Sequence, residues 1–138
     1  MTNGNFDLGL LVLRLWFGLE MAIVHGLPKA QKLISGDMGF PDPLGIGSGM
    51  SLGLATFGEL VCGLLIAAGL FTRLSTIPYI ITMLVAGLLF HFDDGWGKIA
   101  VPMHYAIAGI VLLIAGPGRF SLDHRMFVQK HGNWDGEA

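Results

Sequence analysis

The chain alternates four long apolar stretches with polar joints that are marked by glycine and proline. The stretches cover about residues 8–27, 52–70, 74–92 and 99–115. Each approaches the roughly 20 residues that an α-helix needs to cross the hydrocarbon core of a bilayer. Backbone groups in hydrocarbon must bond to one another, which helices of this length achieve internally. The pattern therefore predicts an all-α polytopic membrane protein: an antiparallel bundle of four transmembrane helices.

The joints between the stretches differ in length. Residues 71–73 form so short a joint that the second and third helices must be antiparallel neighbours. The first joint, residues 28–51, holds Pro41, Pro43 and a run of glycines between Gly45 and Gly49, which predicts a loop with one amphipathic turn near residues 30–34. Residues 116–138 are expected to form a short cytoplasmic tail. The whole chain, residues 1–138, is interpreted as a single membrane domain.

Composition and charge support a lipid environment. Hydrophobic residues make up 53% of the chain and charged residues 13%, against about 25% charged in a typical soluble domain. The net charge of −2 without a basic block argues against a nucleic-acid partner. Basic residues near the helix ends favour both termini in the cytoplasm by four to three. They are Arg73, Arg119, Arg125 and Lys130 on the side of the termini, and Lys29, Lys32 and Lys98 on the other side.

Ionisable residues within the apolar stretches are the candidates for function. A charge near the centre of a membrane helix costs about 2.5–3.5 kcal/mol, so such residues are paired, hydrated or functional. These residues are Arg14, Glu20, His25, Glu59, His91 and His104. Four of them have small residues four positions away, a spacing that marks closely packed helix faces. The four that are predicted to point into the bundle are Arg14, Glu59, His91 and His104.

The helical rise of about 1.5 Å per residue places most of these groups at one end. Glu20 and Glu59 lie about 10 Å deep from the side of the long loop, and His104 lies about 7 or 8 Å deep. His25 and His91 lie near the surface on the same side. The sequence therefore predicts a polar cluster facing the first loop, with Glu59, His91 and His104 together in the interior. Arg14 lies about 20 Å from that side.

Three motifs in order resemble the DoxX family over nearly the whole chain. The first helix reads R-L-x-x-G from Arg14 and H-G-x-x-K from His25. The second reads G-E-L-x-x-G-x-L-x-x-x-G-L-x-T-R from Gly58, and the tail reads G-P-G-R-F-S-L-D from Gly116. The resemblance implies a small bacterial inner-membrane protein that is associated with quinone-linked sulfur oxidation or with membrane-bound oxidoreductase assemblies. It also implies other membrane or redox-enzyme subunits as partners.

The resemblance also points to particular residues. By position these are Arg14, His25, Lys29, Glu59, Arg73 and Asp123, and His91 fits a histidine often found at the end of the third helix. Where many relatives have a glutamate at the start of the fourth helix, this chain has His104. That departure argues against any mechanism that needs a second carboxylate there.

Two functions remain open from the sequence. In the first, the chain is the membrane subunit of a redox enzyme and a quinone is its cofactor. The candidate catalytic residues are Glu59, His104, His91 and Arg14, and the candidate cofactor-binding residues are His25, Glu20 and Lys29. In the second, the chain is a non-catalytic accessory or assembly subunit. The sequence carries no haem, flavin or iron–sulfur motif, so a partner would have to supply the electrons.

Structural interpretations of the same residues also remain open. Arg14 and Glu59 could form an ion pair that fixes the register of two helices. His25 and His91 lie near a water interface, where histidine caps helices or extends toward water. A metal site formed by Glu59, His91 and His104 is chemically reasonable. These residues lack the usual spacing of metal ligands, so no metal site is predicted.

Overall fold

The computed structural model describes residues 4–128. Within that range the chain forms four long helices, a short 3-10 helix, Phe92–Asp94, and a short π-helical turn, His124–Val128, with no β-strand. The long helices are α1 (Gly4–Ser35), α2 (Ser48–Ala68), α3 (Thr72–Phe90) and α4 (Trp96–Ala115). Each is long and apolar enough to cross a membrane. The structure confirms the predicted all-α membrane bundle.

Each helix packs against the next along the chain, and α4 closes the bundle against α1. A core of apolar side chains, including Met21, Ile66 and Leu112, fills the centre. Large apolar residues also cover the outer faces, where Trp16, Leu74 and Ile114 are mostly exposed. A soluble protein would not leave so much apolar surface in water, so this surface contacts the acyl chains of the bilayer.

The α1–α2 contact is a seam of small residues at which the two backbones touch. A Cβ atom on Gly18 would lie 2.7 Å from the carbonyl oxygen of Gly63. A Cβ atom on Gly26 would lie 2.5 Å from the backbone nitrogen of Leu60. Small residues allow membrane helices to pack this closely. The seam fixes the height of α1 against α2, and with it the position of every polar side chain on the two helices.

The first helix is longer than the sequence predicts, since residues 28–35 continue α1 instead of starting a loop. Pro28 is compatible with the helix because the preceding turn, Met21–Gly26, is π-helical, and the Leu27 N–H donates to the carbonyl of Ala22, five residues back. A π-helical turn shifts the hydrogen-bond register, which accommodates the missing N–H and the ring of proline. The loop between α1 and α2 is thereby reduced to residues 36–47.

Three π-helical turns lie at the end of the bundle that faces this loop. They are Met21–Gly26 in α1, Phe57–Val61 in α2 and Ala86–Phe90 in α3. The first contains His25, the second contains Glu59, and His91 follows the third directly. Turns of this kind are rare and occur often at functional sites. Three predicted site residues thus lie on or beside irregular turns at the same end of the molecule.

At the opposite end, Arg14 is completely buried and is held by backbone carbonyl groups. Its Nη2 donates to the carbonyl oxygen of Phe120 at 2.6 Å. Its Nη1 donates to the carbonyl oxygens of Ala67 at 3.2 Å and Ile66 at 3.5 Å. The possible ion pair between Arg14 and Glu59 is therefore wrong, because Arg14 binds the far end of α2 and the segment after α4.

The segment after α4 ties the ends of three helices together. The Asp123 carboxylate accepts the backbone N–H groups of Phe71 at 2.7 Å and Thr72 at 2.8 Å, which caps the start of α3. The Asp7 carboxylate in α1 accepts the backbone N–H of Arg119 at 3.0 Å. We call this arrangement of Asp7, Arg14, Gly69 and residues 116–123 the clasp. The tail motif of the sequence thus holds helix ends together by hydrogen bonds at one end of the bundle.

Candidate functional site

A cavity of about 900 Å³ occupies the end of the bundle opposite the clasp. All four helices and the loop of residues 36–47 contribute to its wall, which is mostly apolar. The polar side chains on the wall include His25, Lys29, Glu59, His91 and Tyr105. A largely apolar cavity with a few convergent polar groups is the usual form of a small-molecule site.

The centre of the polar wall is an ion pair between α1 and α2. The Nζ of Lys29 lies 2.5 Å from Oε2 of Glu59. Glu59 is only 4% exposed, whereas 22% of the Lys29 side chain is accessible. The Lys29 ammonium also donates to the carbonyl oxygen of His25 at 3.2 Å. The close approach of Gly26 to Leu60 brings Lys29, one turn further along α1, level with Glu59.

His25 and Tyr105 form the side of the cavity where α1 faces α4. Their rings meet edge to face with centroids 5.6 Å apart. The Tyr105 ring packs in the same way against Phe17, again at 5.6 Å. These aromatic contacts hold the His25 imidazole against the cavity wall. The sequence did not single out Tyr105 as a site residue, because an aromatic ring in a membrane helix is ordinarily an interface or core residue.

His91 lies half-buried at the rim of the cavity, just after α3. Its Nδ1 lies 2.8 Å from Oδ2 of Asp94, and the Lys98 ammonium lies 3.8 Å from the same oxygen. The hydrogen bond with His91, aided by Lys98, holds the pKa of the Asp94 carboxyl below its usual range. His91 is therefore oriented by a carboxylate, and it lies at the cavity entrance rather than in the bundle interior.

The predicted interior position of His104 is wrong. His104 is exposed and lies off the cavity wall, and its neighbour Tyr105 faces inward in its place. The prediction relied on a small residue four positions away, Ala108. Small residues occur on adjoining faces of α4, at Ala106 and Gly109 as well, so their spacing did not fix which face of the helix points inward. The interior group of Glu59, His91 and His104 is not formed.

Glu20 and Arg14 also lie away from the cavity wall. Glu20 is half-buried on α1, near the phenol groups of Tyr79 and Tyr105. Arg14 belongs to the clasp. Of the residues predicted from the sequence to be catalytic or cofactor-binding, the structure brings four to the cavity. They are His25, Lys29, Glu59 and His91.

The loop of residues 36–47 covers the cavity and is anchored by one carboxylate. Asp42 accepts the Ser51 hydroxyl at 2.8 Å and the backbone N–H groups of Ile46 at 3.0 Å and Gly47 at 2.8 Å. These bonds, that from Ser51 first, hold the pKa of the Asp42 carboxyl below its usual range. Asp42 thereby fixes the loop on the start of α2. The apolar residues Phe40 and Leu44 of the loop form part of the cavity wall.

The chemistry that this wall offers is hydrogen bonding and proton exchange. Lys29 supplies ammonium donors, Glu59 a buried carboxylate, and His25 an imidazole that can donate or accept a hydrogen bond. Within residues 4–128, no group of three or more histidine, cysteine, aspartate or glutamate side chains is arranged to hold a metal ion. The wall thus combines a mostly apolar surface with a few hydrogen-bond donors and acceptors.

The fold and the site define a class: four-helix integral membrane proteins with a mostly apolar cavity that carries a few polar groups at one end and the clasp at the other. The DoxX family model matches residues 9–92, and the chain belongs to the DoxX family. It is 33% identical over 110 residues to an uncharacterized membrane protein of Mycobacterium tuberculosis, a match that covers 63% of this chain and 68% of that protein. No solved structure matches the chain. The family membership confirms the resemblance found in the sequence.

Proposed function

We propose that this DoxX family protein is the membrane subunit of a quinone-linked oxidoreductase assembly in the bacterial inner membrane. In this proposal the cavity at the loop end binds the quinone headgroup. The observation that carries the proposal is the ion pair between the buried Glu59 and the partly buried Lys29 on the wall of a large, mostly apolar cavity. Electrons would come from a partner subunit, because the sequence holds no haem, flavin or iron–sulfur motif.

The cavity fits a quinone in size, polarity and access. Its volume of about 900 Å³ lies at the upper end of the range for small-molecule sites. Leu54, Phe57 and Ile81 line it and are each about half exposed on the outer surface of α2 and α3. The wall is therefore continuous with the lipid-facing surface of the bundle. A hydrophobic quinone could enter from the bilayer and keep its tail among the acyl chains.

The polar groups on the wall match the needs of a quinone headgroup. Lys29 and His25 would donate hydrogen bonds to the quinone oxygens, which holds the ring at a fixed orientation. Reduction of a quinone to a quinol takes up two electrons and two protons. Glu59 and the His25 imidazole would pass those protons to the two oxygens, since both groups exchange protons and lie on the cavity wall. Tyr105 would keep the imidazole in place through its edge-to-face contact.

The experiment compares Glu59→Gln and His25→Gln with a matched control, His104→Gln. His104 is a histidine in the same half of the bundle but off the cavity wall. Each protein is purified in mild detergent, and the quinone that it retains is extracted and measured per chain. Quinone-linked turnover is measured separately in membranes that contain the same variants. We expect His25→Gln to lose about tenfold of the retained quinone, because it alters a direct hydrogen bond to the headgroup. We expect Glu59→Gln to lose quinone-linked turnover, because it removes a group that exchanges protons. The His104→Gln protein should retain the wild-type amount.

A double variant separates binding from stability. Glu59→Gln leaves the Lys29 ammonium without its partner, which costs on the order of 2–3 kcal/mol of folding stability, since that side chain keeps some contact with water. Lys29→Met with Glu59→Gln removes both charges and should restore the melting temperature in detergent. Under our proposal the double variant remains unable to retain quinone. Wild-type quinone content in this stable double variant would overturn the proposal and favour a non-catalytic accessory subunit.

A further inference from the structure

We propose that the clasp end of the protein binds the headgroup of an anionic glycerophospholipid. The site is a groove of about 570 Å³ between the start of α3 and the segment after α4. The groove lies at the opposite end of the bundle from the quinone cavity and shares no wall residue with it. We call it the clasp groove. Its wall includes Asp7, Thr72, Arg73, Arg119, Asp123 and His124.

Two buried side-chain oxygens on this wall lack a hydrogen-bond partner within the described residues. The Thr72 side chain is 0% exposed and Asp7 is 1% exposed. Among residues 4–128, neither the Thr72 hydroxyl nor Oδ2 of Asp7 makes a hydrogen bond. Buried polar atoms are almost always satisfied, because leaving one unpaired costs stability. The clasp groove therefore presents a hydroxyl that can donate and a carboxylate oxygen that can accept.

Two arginines and two aspartates lie on the wall of the groove, and the group free to bind an anion is the Arg119 guanidinium. Both Asp123 oxygens accept backbone N–H groups, and Oδ1 of Asp7 accepts the Arg119 N–H, which leaves only Oδ2 of Asp7 unpaired among these carboxylate oxygens within residues 4–128. Arg73 donates to the carbonyl oxygen of Ile114 at 3.3 Å. In the described part of the chain, the exposed Arg119 guanidinium makes no side-chain hydrogen bond or ion pair. Arginine at such a site recognises phosphate through two parallel hydrogen bonds.

Apolar side chains extend the groove toward the lipid. Phe71, Leu74 and Phe127 line it, and between about half and two thirds of each is exposed. The groove lies where α2 ends and α3 begins, which is the level of the lipid phosphates for helices that just span the bilayer. A phospholipid could bind Arg119 through its phosphate and contact Leu74 and Phe71 through its acyl chains, so it would use both the charged and the apolar part of the groove. This combination favours a lipid over a soluble phosphate compound.

The unpaired Asp7 oxygen restricts further which lipid headgroup can bind. A second phosphate oxygen could not satisfy Asp7, because two acceptors repel, whereas a headgroup hydroxyl could donate to it. Phosphatidylglycerol carries one negative phosphodiester and two glycerol hydroxyls. Its phosphate would bind Arg119 and the Thr72 hydroxyl, and a glycerol hydroxyl would donate to Asp7. Basic pockets at the ends of membrane helices are known to bind anionic lipids.

The test measures lipid retention on the intact protein. Wild-type protein, Arg119→Gln and Arg125→Gln are reconstituted into bilayers of equal parts phosphatidylglycerol and phosphatidylethanolamine. Each is then extracted in mild detergent, and the lipid bound per chain is measured by native mass spectrometry. Arg125 is the control, since it is an exposed arginine at the same end but lies off the groove wall. We expect retained phosphatidylglycerol to fall about tenfold in Arg119→Gln and to stay unchanged in Arg125→Gln.

A second variant and a soluble competitor complete the test. Thr72→Val keeps the shape of the side chain but removes the hydroxyl, and it should also lower phosphatidylglycerol retention while the protein still melts cooperatively. Equal loss in Arg119→Gln and Arg125→Gln would show attraction to bulk charge and would overturn the site. If glycerol phosphate alone raised the melting temperature as much as phosphatidylglycerol does, the ligand would be soluble and the lipid proposal would be wrong.

Discussion

The terminal nitrogens of the buried Arg14 are bound at the clasp by carbonyl groups rather than by a carboxylate, while its Nε has no hydrogen-bond partner among residues 4–128. Three carbonyl oxygens accept from its two terminal nitrogens. These carbonyls are available because α2 ends at Gly69, whose backbone adopts a left-handed conformation with φ of 71°. A Cβ atom on Gly69 would collide with the Arg14 guanidinium and would lie 2.6 Å from Cβ of Ser121. The position of the Arg14 guanidinium therefore depends on Gly69.

Gly69 and Gly36 have the same backbone conformation, so their alanine variants can be compared directly. Gly36 ends α1 with φ of 75°, but nothing lies within 4 Å of the position where its Cβ would be. Alanine in the left-handed conformation costs about 1–2 kcal/mol at either position. We expect Gly69→Ala to cost about 2 kcal/mol more than Gly36→Ala, because it also displaces Arg14. Melting in detergent measures the difference, and equal losses would contradict the role of Gly69 in holding Arg14.

At the scale of the helices, the α1–α2 seam depends on the absence of side chains. A Cβ atom on Gly18 would approach the backbone of both Gly63 and Ala67, at 2.7 and 2.8 Å. Backbone atoms cannot move aside as a flexible side chain can, so Gly18→Ala must push the two helices apart. We expect a loss of about 1–3 kcal/mol in stability, which is typical of overpacking.

Gly9→Ala is the control for the seam, since Gly9 lies on the same helix with open space around it. Alanine favours a helix over glycine by up to about 1 kcal/mol, so this variant should be neutral or slightly stabilised. Thermal melting of the two variants in one detergent compares them directly. If Gly18→Ala melted as Gly9→Ala does, the helices would not be in backbone contact at that point.

The sequence predicts features that depend on residues close together in the chain and misses those that depend on residues far apart. Apolar length gave the four spans, and small residues at intervals of four identified the inner face of α1. The same spacing failed on α4, where small residues occupy adjoining faces and His104 was placed inward. The partner of Glu59 was missed because Lys29 was assigned to the loop of residues 28–51, which was predicted from Pro41, Pro43 and the glycines between Gly45 and Gly49. The bond from Arg14 to Phe120 joins residues 106 apart, and no local pattern reports it.

At the scale of the whole molecule, the ends of the bundle carry opposite charge. Among residues 4–128, the clasp end holds four arginines and two aspartates, which gives a net charge of +2. The cavity end holds three lysines against six carboxylates, which gives −3. Positively charged residues near helix ends favour the cytoplasmic side of a membrane. Lys130, which was counted with the basic side in the sequence, lies outside the described residues.

This difference in charge between the two ends predicts the orientation of the protein in the membrane. Both the clasp and the chain termini should face the cytoplasm, and the cavity loop should face the opposite side. A reporter fused after Ala138, which lies beyond the described residues, should be active in the cytoplasm. A reporter inserted in the exposed loop of residues 36–47 should be active only outside it. The reverse pattern would contradict this orientation and would place the quinone cavity in the cytoplasmic leaflet.

The clasp also has a consequence for the time at which the protein can finish folding. Arg14 is synthesised 106 residues before Phe120, whose carbonyl accepts its shortest hydrogen bond. The carboxylate that caps α3 belongs to Asp123, which is made about fifty residues after the start of the helix it caps. The helices α2, α3 and α4 must therefore all be made before the buried charge of α1 has this partner. During this interval the translocon or water must solvate Arg14.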